Sequence, residues 1–305
     1  MPPRRKLYMK ALKLGANNMS NDFKIHCIVL CKNEADVINV CLSEAIKWAD
    51  YIYVYDGGST DGTWEAVNKL NHPGIIPWKQ DPKVFRDGLR AEVFNEFRHQ
   101  SSKGDWWLQL NADEFYVGNP RAIFSRVPRG RDLVWGIMAE YVLTERDVAS
   151  IDFSLPFEKV MPLLRYYYVA WSERRAVRYR DGLIWNDDWA WPRHAGVVAR
   201  ERLIYKHYPC RSPKQMQARG KARKESRDSA ITLAIEAADK CYSRGFEGWK
   251  EDVEDWRQTI KNSKEFMFDD GISPLKIDES ALPRHLEARY VRLAKQMFHG
   301  CGIWP

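Results

Sequence analysis

Residues 25–31, 51–55, 74–77, 106–110 and 133–138 are short apolar runs, and between them apolar positions recur at helical spacing. Such alternation predicts βαβ units and a sheet whose first strands are parallel. Asn33, with Asp36 three residues on, reads as a helix cap, and the helix it opens runs toward Trp48. Residues 86–100 read as a helix ahead of the fourth strand, and from 133 to 198 the chain turns aromatic and strand-like. After Ser212 the pattern is strongly helical, with polar breaks near 243–245 and 269–274. Ser212-Pro213-Lys214-Gln215 has the form of a capping box with proline at the first helical position, so a helix should begin at Ser212. In the last helical stretch Leu286, Tyr290, Leu293 and Met297 share one face, with Arg289, Arg292 and Lys295 off it. That stripe is expected to dock on the domain, a membrane surface being the alternative.

Two of the apolar runs end abruptly in carboxylates: YVYDGGSTDGT at 53–63 and LQLNADEFYV at 108–117. A buried parallel strand that ends in an acid delivers it to the carboxyl edge of the sheet, where open α/β folds bind ligands. Gly57, Gly58 and Gly62 surround the acids of the first run and let backbone approach a ligand closely.

Read with residues 25–38, IHCIVLCKNEADVI, these runs resemble the nucleotide-sugar half of the family 2 glycosyltransferases of the GT-A fold, over about residues 24–118. The resemblance implies an α/β fold with a Rossmann-like, mixed and mostly parallel sheet flanked by helices. A C-terminal helical extension follows it. It implies that Leu30, Cys31, Lys32 and Asn33 line the nucleoside, that Asp56 reads the base, and that Asn111 and Asp113 stand where an Asp-x-Asp motif binds ribose and a divalent metal. Asn111 departs from that motif. An amide can bond a ribose hydroxyl but brings no charge, so Mn²⁺ or Mg²⁺ would lean on Asp113, with Glu114 as a further oxygen donor. On this reading an acid restored at 111 preserves or strengthens metal-stimulated activity. Arg90, on the helix before the metal-motif strand, is the family's candidate to approach the donor. A shorter resemblance in KHYPCRSPKQ at 206–215 implies that His207 completes the metal–diphosphate site. The positive end of the helix starting at Ser212 would lie near His207 and Arg211, with Lys206, Lys214 and Arg219 adding to a field suited to a diphosphate.

Composition narrows the picture further. At 305 residues the chain can bury a large core, and the expected organisation is a basic tail at 1–22, a nucleotide-sugar half at 23–118, an acceptor half at 119–211 and the extension at 212–305. Six scattered cysteines form no CxxC pair and read as buried thiols in a reducing compartment. No run approaches the ~18 apolar residues of a membrane span, and the N-terminus lacks a signal-peptide core. A cytoplasmic enzyme is expected. Five basic and no acidic residues among the first 13 would suit an anionic membrane and a lipid-linked acceptor. Of the formal +7, residues 200–227 carry ten Lys/Arg against two Glu, which implies an anionic partner there.

For the base that activates an acceptor hydroxyl, DGLIWNDDWAWP at 181–192 offers Asp188 first, then Asp187 and Asp181, among tryptophans that suit a sugar ring. The expected activity is metal-dependent, inverting transfer from a nucleotide-diphosphate sugar, a UDP-sugar above others, to a glycan or lipid-linked hydroxyl. A nucleotidyltransferase would show a Gly-rich basic phosphate loop where this chain has CKNEAD. A nucleic-acid-binding module would use the 200–227 segment, but the near-neutral remainder and acid-rich cleft argue against nucleic acid.

Overall fold

The computed structural model describes residues 23–83, 85–222, 256–277 and 289–301. The N-terminal tail, residues 223–227 of the basic segment and Leu286 lie outside the described residues.

The parallel core forms as the pattern dictates. Strands β1 (Ile25–Cys31), β2 (Tyr51–Asp56), β3 (Ile75–Gln80) and β4 (Trp106–Asn111) pair in parallel in the order β3-β2-β1-β4. All seven residues of β1 are buried, as expected of a strand covered on both faces. Helices α1 (Ile38–Ala45) and α2 (Thr63–Lys69) follow β1 and β2, and α3 (Leu89–Phe97) precedes β4. One apolar cluster takes Cys27, Val29, Cys41, Leu42 and Val54, and a second takes Ile28, Leu30, Tyr53, Tyr55 and Phe94. The split follows from strand alternation, which sends neighbours to opposite faces.

Beyond β4 the sheet becomes mainly antiparallel. After β5 (Glu114–Tyr116) and α4 (Pro120–Phe124) come β6 (Leu133–Tyr141), α5 (Glu145–Ser150), α6 (Phe157–Val160), β7 (Tyr166–Arg178) and β8 (Val198–His207). Strand β7 joins β4 antiparallel, and β6, β8 and β5 complete the order. The result is one mixed α/β sheet flanked by helices, continuous through both halves of the chain.

Three local expectations change. Asn33 does not cap α1: its φ is 57°, its Oδ1 accepts from Thr60 N at 2.9 Å, and the helix begins only at Ile38 after a turn closed by Glu34 O. Residues 256–276 are short 3₁₀ turns and a two-residue strand, β9 (Met267–Phe268), which pairs with β7. The final helix leaves Tyr290, Leu293 and Met297 exposed, at 75%, 50% and 68%, rather than docked. The capping pattern at Ser212 does form a helix: α7 covers residues 213–222, and Ser212 Oγ accepts from Gln215 N at 3.1 Å. Gln215 Oε1 reaches back to Arg211 N, also at 3.1 Å. No helix among the described residues is long and apolar enough to cross a membrane.

Candidate functional site

A cavity of about 290 Å³ opens at the carboxyl edge of β1, β2 and β4. The strand ends supply Leu30, Cys31, Tyr55 and Asn111, with Lys32 and Asn33 beyond β1. Helix α7 supplies Gln215, Ala218, Arg219 and Ala222, a spacing that places one helical face on the cavity. Lys83, Phe85 and Leu89 close the third side. A larger cleft of about 870 Å³ lies between α1 and residues 161–165 and 269–272. It meets Lys206 and Glu114 but neither Asp113 nor His207, so the smaller cavity holds the ionisable centre.

Asp113 and His207, 94 positions apart in the chain, meet on the cavity wall with Nε2 3.3 Å from Oδ2. Register explains the meeting. Antiparallel β5–β8 pairing sets Glu114 opposite His207, parallel β6–β8 pairing sets Glu140 opposite it, and Tyr208 N holds Asp113 O at 2.9 Å. Burial disfavours ionisation of Asp113, but His207, Arg219 and Arg211 outweigh it and hold the carboxyl well below the usual range. Burial likewise works against the imidazolium of His207, yet Asp113 and Glu140 push its pKa up to about 9. His207 Nδ1 faces Glu140 Oε2 at 3.4 Å, outside hydrogen-bond geometry, and Tyr168 donates to the other oxygen of Glu140 at 2.7 Å.

The neighbouring acids are already committed. Glu114 is fully buried, ion-paired to the equally buried Arg175, and accepts from Asn111 N and Nδ2, both at 3.0 Å. Its oxygens are therefore directed away from the ligand role expected of them. Asn111 Oδ1 accepts from Arg90 at 2.9 Å. Arg90 is itself 2% exposed and does not line the cavity; it reaches the site through Asn111.

Asp56 is also withdrawn from the cavity wall. It is fully buried, and its Oδ1 accepts from Gly58 N at 2.8 Å and Ser59 N at 2.6 Å. The rest of that run binds the turn after β1: Ser59 Oγ accepts from Asn33 N, Thr63 Oγ1 from Glu34 N and Asp61 Oδ2 from Ala35 N. Gly58 is required here, since φ is +82° and a Cβ would lie 2.8 Å from Pro82. Arg211 is 1% exposed and locked: it chelates Asp36 at 2.8 and 2.9 Å and bonds Glu34 at 2.5 Å. Asp181, Asp187 and Asp188 are exposed and outside the cavity wall, but Asp187 pairs with Arg86 at 2.9 Å, beside Phe85 on that wall.

Glu140 and Arg175 thus join the site's framework without having been assigned a place in it by the sequence patterns, whereas Arg219 was expected only to add to the diphosphate field and Gln215 only to cap the helix. Gln215 and Arg219 were findable, four apart on a helix whose cap is legible. Glu140 and Arg175 were not, because strand register brings them in.

No family profile and no curated protein matches the chain. Among solved structures it is similar to glucosyl-3-phosphoglycerate synthase from Mycobacterium tuberculosis in complex with Mn²⁺, UDP and glucosyl-3-phosphoglycerate, at 15% identity and a TM-score of 0.29. That match covers 52% of this chain and 58% of the other. The same synthase with Mn²⁺, UDP and phosphoglyceric acid matches at 14% identity and a TM-score of 0.29, covering 52% and 57%. The chain therefore spans a little over half the length of these structures.

Proposed function

We propose that the chain is a glycosyltransferase that moves a sugar, with inversion, from a nucleotide-diphosphate donor to a hydroxyl of a glycan or lipid-linked acceptor. A UDP-sugar is the favoured donor. The observation that carries this reading is the convergence of Asp113 and His207 at 3.3 Å on a cavity at the carboxyl edge of the parallel strands.

The donor set fits Mn²⁺ or Mg²⁺. Two ligands adjacent on an octahedral ion stand about 3 Å apart, and such ions take one or two protein ligands plus substrate phosphates. Glu140 Oε2 stands 3.4 Å behind His207 Nδ1, where an outer carboxylate would orient a metal-binding imidazole once that contact tightens. Asp113 and His207 would hold the ion. When bound, it neutralises charge on the departing diphosphate.

The chain's own residues do the rest. Leu30 and Tyr55 give the cavity an apolar side for the nucleoside, and Asn111 offers its amide edge to a ribose hydroxyl. Lys32 and Arg219 face the diphosphate. Asp187, anchored by Arg86, and its neighbour Asp188 are the proposed bases, taking the proton from the acceptor hydroxyl as it attacks.

Three basic residues of the 200–227 segment, Lys206, Arg211 and Arg219, are paired with Asp269, with Glu34 and Asp36, and with Asp113, so these three do not form a patch for nucleic acid. The decisive test is a panel of nucleotide-sugars screened for slow hydrolysis with Mn²⁺ or Mg²⁺. Metal-stimulated hydrolysis of one donor, lost in Asp113→Ala, supports the reading, whereas hydrolysis that Asp113→Ala and a chelator both leave intact rejects it. Asn variants of Asp187 and Asp188 then locate the base: the true one loses roughly 10²-fold or more in turnover with donor binding retained.

A further inference from the structure

We propose that Arg219 stands in for the divalent cation. In the free protein its guanidinium holds the metal-ligand oxygen of Asp113, and on arrival of cation and nucleoside diphosphate it yields that oxygen and grips the diphosphate. The proposal rests on the glycosyl-transfer reading above.

The geometry is specific. Arg219 Nη1 lies 3.1 Å from Asp113 Oδ2, the same oxygen that faces His207 Nε2 at 3.3 Å. An oxygen that already accepts an N–H from a guanidinium and faces an imidazolium is a poor ligand until one of them leaves. Arg211 cannot leave: it is 1% exposed and its fork is closed on Asp36 and Glu34. Arg219 can. Its side chain is 25% exposed, and the other bond from Nη1 goes to the carbonyl of Pro209 at 3.2 Å. Burial works against its charge, but Asp113 and Glu34 outweigh it, with Arg211 opposing.

The surroundings leave room for the exchange. Arg219 shares its cavity-facing stripe on α7 with Ala218 and Ala222, whose methyls leave space beside a guanidinium. A planar guanidinium suits two phosphate oxygens at once, a contact that a lysine cannot reproduce. Lys83, across the cavity, is held by Asp81 and Glu92. The divalent ion takes the position of the singly charged guanidinium on Asp113, and that guanidinium follows the anionic diphosphate.

The test measures binding rather than turnover. Free Mn²⁺ is titrated by electron paramagnetic resonance without nucleotide, and UDP affinity is measured by calorimetry at saturating Mn²⁺, for the wild type, Arg219→Gln and Arg219→Lys. Removing a competing cation from a partly exposed ion pair should tighten Mn²⁺ binding by about threefold in Arg219→Gln. Losing a charge-assisted hydrogen bond should weaken UDP binding by about 10-fold or more. Arg219→Lys, which keeps the charge and the fold but not the fork, should leave Mn²⁺ affinity near wild type and weaken UDP to an intermediate degree. Opposite shifts for Mn²⁺ and UDP support the proposal. If the wild type binds Mn²⁺ and Arg219→Gln changes neither affinity, or weakens both, the substitution role is overturned while the transferase reading stands. If the wild type binds Mn²⁺ neither alone nor with UDP, the metal-dependent reading itself fails, and this proposal with it.

Discussion

Asn111 stands where an acid would usually be expected, and its neighbours show why an amide suits the place. Its Oδ1 accepts from Arg90 while its Nδ2 donates to Glu114, and only an amide does both. Asn111→Asp would set a second carboxylate against a buried one. Besides the preserved or stronger metal-stimulated activity expected from the motif, this substitution should destabilise the fold by about 1–3 kcal/mol, the cost of an unmet buried polar contact. Chemical denaturation of the variant against wild type measures it; equal midpoints and slopes would refute the bridging role. At His207 the folded pKa near 9 lies above the ordinary 6.5, so folding takes up a proton there. The stabilisation is fully present below pH 6.5 and is lost as pH rises through 9. The melting temperature should therefore fall between those values, and His207→Gln should flatten that part of the profile. Mn²⁺ affinity should move the other way, rising over the same window as the imidazole is freed. The two resemblances pointed to Asp113 and His207 as expected ligands, while the partners that set their protonation come from distant strands.

At the scale of elements, the turn between β1 and α1 is held from two sides. The 59–63 segment supplies hydroxyls and a carboxylate to its N–H groups, and Arg211 clamps its acids. Arg211→Ala leaves Glu34 and Asp36 without their cation. The expected loss is roughly 3 kcal/mol, the lower end for breaking a buried pair, because Asp36 is 42% exposed and partly rehydrates. Urea unfolding reads that loss, and nucleotide affinity should fall with it because Lys32 and Asn33 line the cavity from this same turn. A variant with unchanged stability would return Arg211 to the ligand-contact role expected of it from sequence. The run DGGSTDGT was legible as a site feature, but its local hydrogen bonds build the turn, and short polar side chains beside positive-φ residues do this readily.

Across the whole molecule, one sheet carries the parallel strands that make the cavity and the later strands that deliver His207 to it, with Glu140 and Arg175 behind. The exposed stripe of Tyr290, Leu293 and Met297 lies on a twelve-residue helix, α8 (Arg289–Gly300), that contains three Lys/Arg and no acid. This is the composition of a helix that rests on an anionic bilayer, so peripheral contact with anionic lipid is the expected outcome to test. Sedimentation with vesicles containing anionic lipid should capture the protein, and Leu293→Gln with Met297→Gln should release it. Equal recovery of wild type and variant, or no preference for anionic over neutral lipid, would refute the contact.

The sequence by itself determined the four parallel strands, their carboxyl-edge acids and the start of α7, because each depends on local periodicity, strand burial or a cap within four residues. Which acids are available was decided only by the tertiary structure. Asp113 remains at the cavity while Glu114 is taken by Arg175 and Asp56 by its own turn, and the strand register that brings His207 beside Asp113 couples residues far apart in the chain. Local pattern encodes where a strand ends; what a side chain meets there depends on long-range pairing, which no window of neighbouring residues contains.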